Sequence, residues 1–265
     1  MKIKKPDFWD EKKPNLIAYL LLPVSKMIQI LKSLRKSENL DFPEIKTICV
    51  GNIYIGGTGK TPLSIKLSKL LNSKNLKAAV IKKFYIDQKD EQMLISKKTN
   101  LISKINRKES LDSAIRQNFK YAILDDGLQE NNINYDFKIC CFSSNNWIGN
   151  GLTIPAGPLR EKISSIKNFD IIFLNEPDIE NKVIKEKILK INSNIKIFEG
   201  SYKLKNSNNL DTSKNYLIFS GIGNPQNFDH TLKENNFKVF KHFTFPDHYN
   251  YKKNEIDNFK KFAKD

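Results

Sequence analysis

The segment Gly56-Gly57-Thr58-Gly59-Lys60-Thr61 has the residue types and order of a phosphate-binding loop. Glycines let successive backbone N–H groups curl around phosphate oxygens without a Cβ clash, and a helix opening just after them adds a favourable dipole. The Lys60 ammonium would reach the β and γ phosphates of a nucleotide, and the Thr61 hydroxyl would bind Mg²⁺. A second element, Tyr121-Ala122-Ile123-Leu124-Asp125-Asp126, is an apolar run ending in two carboxylates, which suits the acidic metal site beside such a loop. Alone, two acids at a strand end are more often a solvated turn; beside Lys60 and Thr61, Asp125 reads as a holder of Mg²⁺ or of its water shell. The loop departs from the general pattern at one place, where Tyr54 stands in the position of the first glycine.

Such a loop needs a strand before it and a helix after it, and the sequence supplies both. Thr47-Ile48-Cys49-Val50 is a short apolar strand, and a helical period runs through Leu63, Leu67, Leu70 and Leu71. Further strands are expected at Ala78–Ile81, Tyr121–Leu124, Phe137–Phe142, Asp170–Leu174, Ile195–Phe198 and Tyr216–Ser220. Strands alternating with helices imply an α/β fold of the P-loop NTPase type, a mostly parallel sheet sandwiched by helices with ligands at the carboxyl ends of its strands. A polar stretch, Lys205–Ser213, and the new strand after it place a soft boundary near residue 200. The expected organisation is residues 1–200 as an N-terminal helix plus the P-loop core, and 201–265 as a smaller C-terminal α/β domain.

Residues Asn15 to Arg35 carry an apolar run, then Met27, Ile28, Ile30, Leu31 and Leu34 interleaved with Lys26, Lys32, Arg35 and Lys36. This is the pattern of an amphipathic basic helix, which fits either packing on its own domain or docking on a membrane interface. Its unbroken apolar part, Leu16 to Val24, contains Pro23 and falls short of the roughly 20 residues of a membrane span. No secretory signal is expected from the N-terminus. The chain has 45 Lys and Arg against 29 Asp and Glu, a formal charge of +16, which favours a polyanionic partner or an anionic surface without choosing between them. Cys49, Cys140 and Cys141 sit in strand-like runs without metal or disulfide spacing, which fits a reduced cytoplasmic setting.

Three ordered blocks carry a resemblance to a known family. They are Gly51-Asn52 through Gly56-Gly57-Thr58-Gly59-Lys60-Thr61-Pro62; Asp125-Asp126-Gly127-Leu128-Gln129; and Gly149-Asn150-Gly151 through Pro155-Ala156-Gly157-Pro158-Leu159-Arg160-Glu161. With Phe8-Trp9, Asp90-Glu91, Gly223-Asn224-Pro225, Phe228 and Pro246-Asp247-His248, the chain resembles tetraacyldisaccharide 4′-kinase from about residue 8 to 251. The resemblance implies transfer of the ATP γ-phosphate to the 4′-hydroxyl of a tetraacyldisaccharide 1-phosphate, giving lipid IVA in lipopolysaccharide synthesis. It implies a peripheral placement on the cytoplasmic face of the inner membrane, with ATP and Mg²⁺ as cofactors; a monomer without a nucleic acid partner is expected. Asp90 matches the family's catalytic aspartate, paired with His248, and Lys60 joins them in catalysis. Asp125 and Glu161 match the metal site with Thr61, while Glu91, Asp126, Gln129 and Arg160 fall beside the substrate or support these groups.

The chain also departs from the family pattern. Lys82-Lys83-Phe84-Tyr85-Ile86 stands where Ser-Arg-Gly-Tyr-Gly is usual, Glu130 follows Gln129 in place of a histidine, and the chain stops at Asp265, before the final strands expected of a complete C-terminal domain. Two other readings use the same features. A nucleic-acid-associated or partitioning-type P-loop ATPase would use the positive charge on phosphate backbones, and a non-catalytic nucleotide-binding scaffold would have lost its chemistry through the changed loop.

Overall fold

The computed structural model describes residues 5–34, 39–130, 132–176, 181–205 and 209–263. Arg35 and Lys36, at the end of the expected N-terminal helix, and residues 206–208 of the polar stretch lie outside the described residues. The described chain forms two compact units, Lys5–Ser201 and residues 202–263.

In the first unit, β1 (Lys46–Gly51), β2 (Ala78–Lys83), β3 (Leu101–Lys104), β4 (Tyr121–Asp125), β5 (Phe137–Ser143), β6 (Ile171–Asn175) and β7 (Lys196–Gly200) build one parallel sheet in the order β3-β2-β4-β1-β5-β6-β7. The strands sit between α2 (Lys60–Ser73), α3 (Lys89–Ser96), α4 (Arg107–Arg116) and α5 (Asn181–Ile191). Alternation along β2 shows how both faces are buried. Ala79 and Ile81 pack with Leu111 and Ala114 of α4, while Ala78 and Val80 pack with Leu63, Leu67 and Leu71 of α2. Successive strand side chains point to opposite faces, so continuously apolar strands belong in a sheet covered twice. Leu70 turns out to face solvent; the helix face against the sheet carries Ser64 and Ser68 instead, both buried. Chain order changes direction around β1, whose neighbours are β4 and β5, and the carboxyl ends of β1 and β4 meet at that switch.

The N-terminal helix α1 (Leu16–Ser33) is capped by Asn15, whose side chain accepts from the Ala18 N–H at 3.0 Å. Pro23 lies inside it without ending it. This corrects the expectation that no segment reaches span length: α1 has 18 residues with a mean hydropathy of 1.4, long and apolar enough to cross a membrane by length and composition. Proline removes one intrahelical hydrogen bond, and packing on the protein carries the helix past it. Buried Ser25 donates to the Thr153 carbonyl at 2.9 Å and accepts from the Ala156 N–H at 3.0 Å, and Lys32 Nζ donates to the Arg160 carbonyl at 3.2 Å. The opposite face leaves Leu16, Leu20, Ile30 and Leu34 more than half exposed.

In the second unit, β8 (Asn215–Ser220) and β9 (Lys238–Thr244) pair in parallel and α6 (Pro225–Glu234) connects them. Asn224 caps α6 through the Asn227 N–H at 3.2 Å and Pro225 occupies its first turn, which gives Gly223-Asn224-Pro225 a physical role as a helix start. Ile218, Leu232 and Phe237 form a small core with Phe228 against it, and α7 (Lys253–Phe262) stacks Phe259 on Phe219 and Phe243.

Candidate active site

The turn from β1 into α2 adopts conformations that demand glycine where the sequence has it. Gly56 has φ 143° and Gly59 has φ 82°, and Gly59 is the residue that precedes the first turn of α2, so Lys60 and Thr61 sit at that helix N-terminus. Gly51 is needed for another reason, because a Cβ there would come 2.5 Å from Leu128 Cγ. Tyr54 explains its own departure from the general loop. Its backbone pairs with Leu159 in extended conformation, its ring is buried, and its hydroxyl accepts from Lys5 Nζ at 2.6 Å and donates to Asp10. Pinned in this way, the position needs no glycine freedom. Asn52, fully buried below the turn, donates to the Tyr54 carbonyl at 2.6 Å, to the Gly56 carbonyl at 3.3 Å and to Thr58 Oγ1 at 3.0 Å, and so braces the loop from inside.

Asp125 ends β4 completely buried. Its Oδ2 accepts from Thr61 Oγ1 at 3.0 Å and from Lys82 Nζ at 2.9 Å, and its Oδ1 accepts from Ser64 Oγ at 3.1 Å. Lys82 continues to Glu91 Oε2 at 2.6 Å, which links the end of β2 to the first turn of α3. Burial works against the Lys82 ammonium, but the Asp125 and Glu91 carboxylates outweigh it and hold the group charged, above the ordinary lysine value. Asp126, in a left-handed backbone at φ 60°, lies 3.7 Å from Lys60 Nζ and 3.2 Å from Arg160 Nη1. Burial opposes its ionisation, and the cations Lys60, Arg160, Lys82 and Arg107 together keep its carboxyl below the usual range.

Arg160 also donates to Gln129 Oε1 at 2.7 Å, and Gln129 Nε2 donates to the Asn52 carbonyl at 2.8 Å and to Glu161 Oε1 at 3.4 Å. Gln129, Arg160 and Glu161 are thus gathered beside the loop, with Glu161 joined to it through Gln129. Asp90 heads α3 beside Glu91 and is exposed. His248 belongs to the second unit, where it follows β9 at φ 57°, donates its backbone N–H to the Gly221 carbonyl at 3.0 Å and keeps Nε2 3.7 Å from Asp247.

Three participants escaped sequence reasoning. Lys82 and Ser64 reach Asp125 only through the fold, and buried Arg107 donates to the Asp125 and Asp126 carbonyls at 3.0 and 2.7 Å while pairing with Glu130 at 2.6 Å. The Glu130 that replaces the expected histidine therefore has a partner of its own. A lysine inside an otherwise apolar strand was the one available signal for Lys82.

Thr61, Ser64 and Asp125 present hard oxygen donors of the kind Mg²⁺ selects. Among the described residues no three His, Cys, Asp or Glu side chains converge on a metal cage.

Residues 17–265 match the family described as tetraacyldisaccharide-1-P 4′-kinase. A tetraacyldisaccharide 4′-kinase of Pelagibacter ubique (strain HTCC1062) is 48% identical over 266 residues, covering 99% of this chain and 85% of that protein. One from Rickettsia typhi is 38% identical over 288 residues, covering 100% of this chain and 86% of that protein. A crystal structure of LpxK from Aquifex aeolicus in complex with ATP shares the fold with a TM-score of 0.64 at 21% identity, over 89% of this chain and 82% of that one. Matched by the family model over residues 17–265 and 48% identical to a relative along nearly its whole length, the chain belongs to the tetraacyldisaccharide 4′-kinase family.

Proposed function

We propose that this kinase uses ATP and Mg²⁺ to phosphorylate the 4′-hydroxyl of a tetraacyldisaccharide 1-phosphate, giving lipid IVA, at the cytoplasmic face of a bacterial inner membrane. The observation that carries the reading is the 3.0 Å approach of Thr61 Oγ1 to buried Asp125 Oδ2 directly beside Lys60. Thr61 and Asp125 would hold Mg²⁺, Glu161 being joined to the loop only through Gln129, and the bound ion would supply charge neutralisation on the β and γ phosphates. Gly56 to Gly59 cradle the phosphates, and Lys60 turns from Asp126 to the β and γ oxygens.

The acceptor oxygen then attacks the γ-phosphorus as the bond to the β–γ bridging oxygen breaks and ADP leaves. Asp90 receives the hydroxyl proton. Because this chemistry is mainly positioning and charge neutralisation, Arg160 and Gln129 serve by holding Asp126 and Glu161 in place.

Helix α1 supports a docked rather than a spanning placement. Ser25, Gln29 and Lys32 hold one face to the 153–160 segment, Gln29 through the Arg160 carbonyl at 3.5 Å, while the apolar opposite face stays exposed. An amphipathic helix of this kind lies in the membrane interface and brings the site to an acceptor that stays in the bilayer. The test is an assay of purified protein with detergent-dispersed tetraacyldisaccharide 1-phosphate, ATP and Mg²⁺, read by mass spectrometry of the lipid. A Mg²⁺-dependent gain of one phosphate is expected; no gain from protein that binds ATP overturns the acceptor assignment.

A further inference from the structure

Lys82 lies near the end of β2, after four apolar residues, where the strand hands over to the loop before α3. Its side chain is 4% exposed, and its Nζ sits 2.9 Å from Asp125 Oδ2 and 2.6 Å from Glu91 Oε2. Those carboxylates come from β4 and from the start of α3, the turn that also carries Asp90. A buried ammonium is tolerated only when paired, and here it is paired with the very oxygen that accepts from Thr61. Asp125 is therefore satisfied by two hydroxyls and an ammonium before any metal arrives.

We propose that Lys82 is a positioning residue, an internal cation that ties the Asp90 turn to Asp125 and competes with the divalent ion for the Asp125 carboxylate. Glu91 sets the strength of that competition by drawing the ammonium away from Asp125. This inference rests on the reading of Asp125 as a Mg²⁺ ligand.

Two substitutions in one cluster then have opposite consequences. Lys82→Met leaves Asp125 with its full negative charge and should tighten divalent binding roughly tenfold. Glu91→Gln gives the ammonium wholly to Asp125 and should weaken divalent binding by several-fold, roughly. A purely structural role would move both variants the same way. Lys82→Arg, which keeps the charge, should lie close to the parent protein.

The measurement is Mn²⁺ binding to the full chain with saturating ADP and no lipid, followed by electron paramagnetic resonance of free Mn²⁺, with circular dichroism to confirm folding. Opposite shifts in Lys82→Met and Glu91→Gln support the proposal. An unchanged or weakened affinity in folded Lys82→Met overturns it while leaving the metal-site reading intact, and absence of Mn²⁺ binding by the parent protein overturns both. Should Lys82→Met fail to fold, Glu91→Gln decides: weakened binding supports the competition, and unchanged or tighter binding removes it. In the kinase assay, Lys82→Met should lower kcat roughly tenfold or more through the Asp90 turn, with the KM for ATP nearly unchanged.

Discussion

The turn after β1 and the turn after β2 leave the same end of the same sheet and both bring charge to it, yet they are built differently. The β1 turn does its work with backbone. Gly56 and Gly59 take φ values that other residues rarely adopt, Asn52 braces the loop from below, and the turn leads directly into a helix N-terminus. The β2 turn has Phe84 and Ile86 exposed, and it connects to the site through one buried side chain, Lys82. A backbone device depends on local residue types, whereas a side-chain device depends on partners distant in the chain, so the first leaves a sequence signature and the second does not.

Three substitutions test that contrast. Lys60→Ala removes the cation at the phosphates and should lower kcat/KM on the order of 10³-fold, with nucleotide affinity falling as well, measured by steady-state kinetics and ADP titration. Asp90→Asn acts on the β2 side and should lower kcat about 10²-fold with nucleotide affinity unchanged. An equal loss of nucleotide affinity in both variants would erase the distinction between a gripping side and a proton-accepting side. The smallest effect is expected from Asn52→Ala, which strips three hydrogen bonds from the loop; it should cost about 1–3 kcal/mol in urea unfolding and weaken nucleotide binding more than it slows bound-state turnover.

Much of the site was legible before the fold was known. Gly56 to Thr61, Asp125 and the strands around them follow from local patterns that the parallel sheet needs anyway, and the later blocks with Gln129, Arg160 and Glu161 fall beside the loop. The roles expected of Asp90 and His248 rest on family likeness alone, because an exposed aspartate at a helix start and a histidine in a turn have no local mark of chemistry. Helix α1 is visible in the sequence as an apolar basic segment over residues 15–35; the unbroken run to Val24 alone falls short of a span, whereas the whole helix, continuing past Pro23, is long and apolar enough for one.

The sequence by itself determined the phosphate-binding turn, the strand ending in Asp125 and the helix at the N-terminus, because each is a short-range pattern in which spacing and side-chain type act on the residue's own backbone. Only the tertiary structure decided that Tyr54 is pinned to Leu159, that Ser25 selects the docked face of α1, and that Lys82 lies between Asp125 and Glu91. Each of these joins residues on different elements, and burial makes such pairings strong by removing the water that would otherwise solvate the same groups.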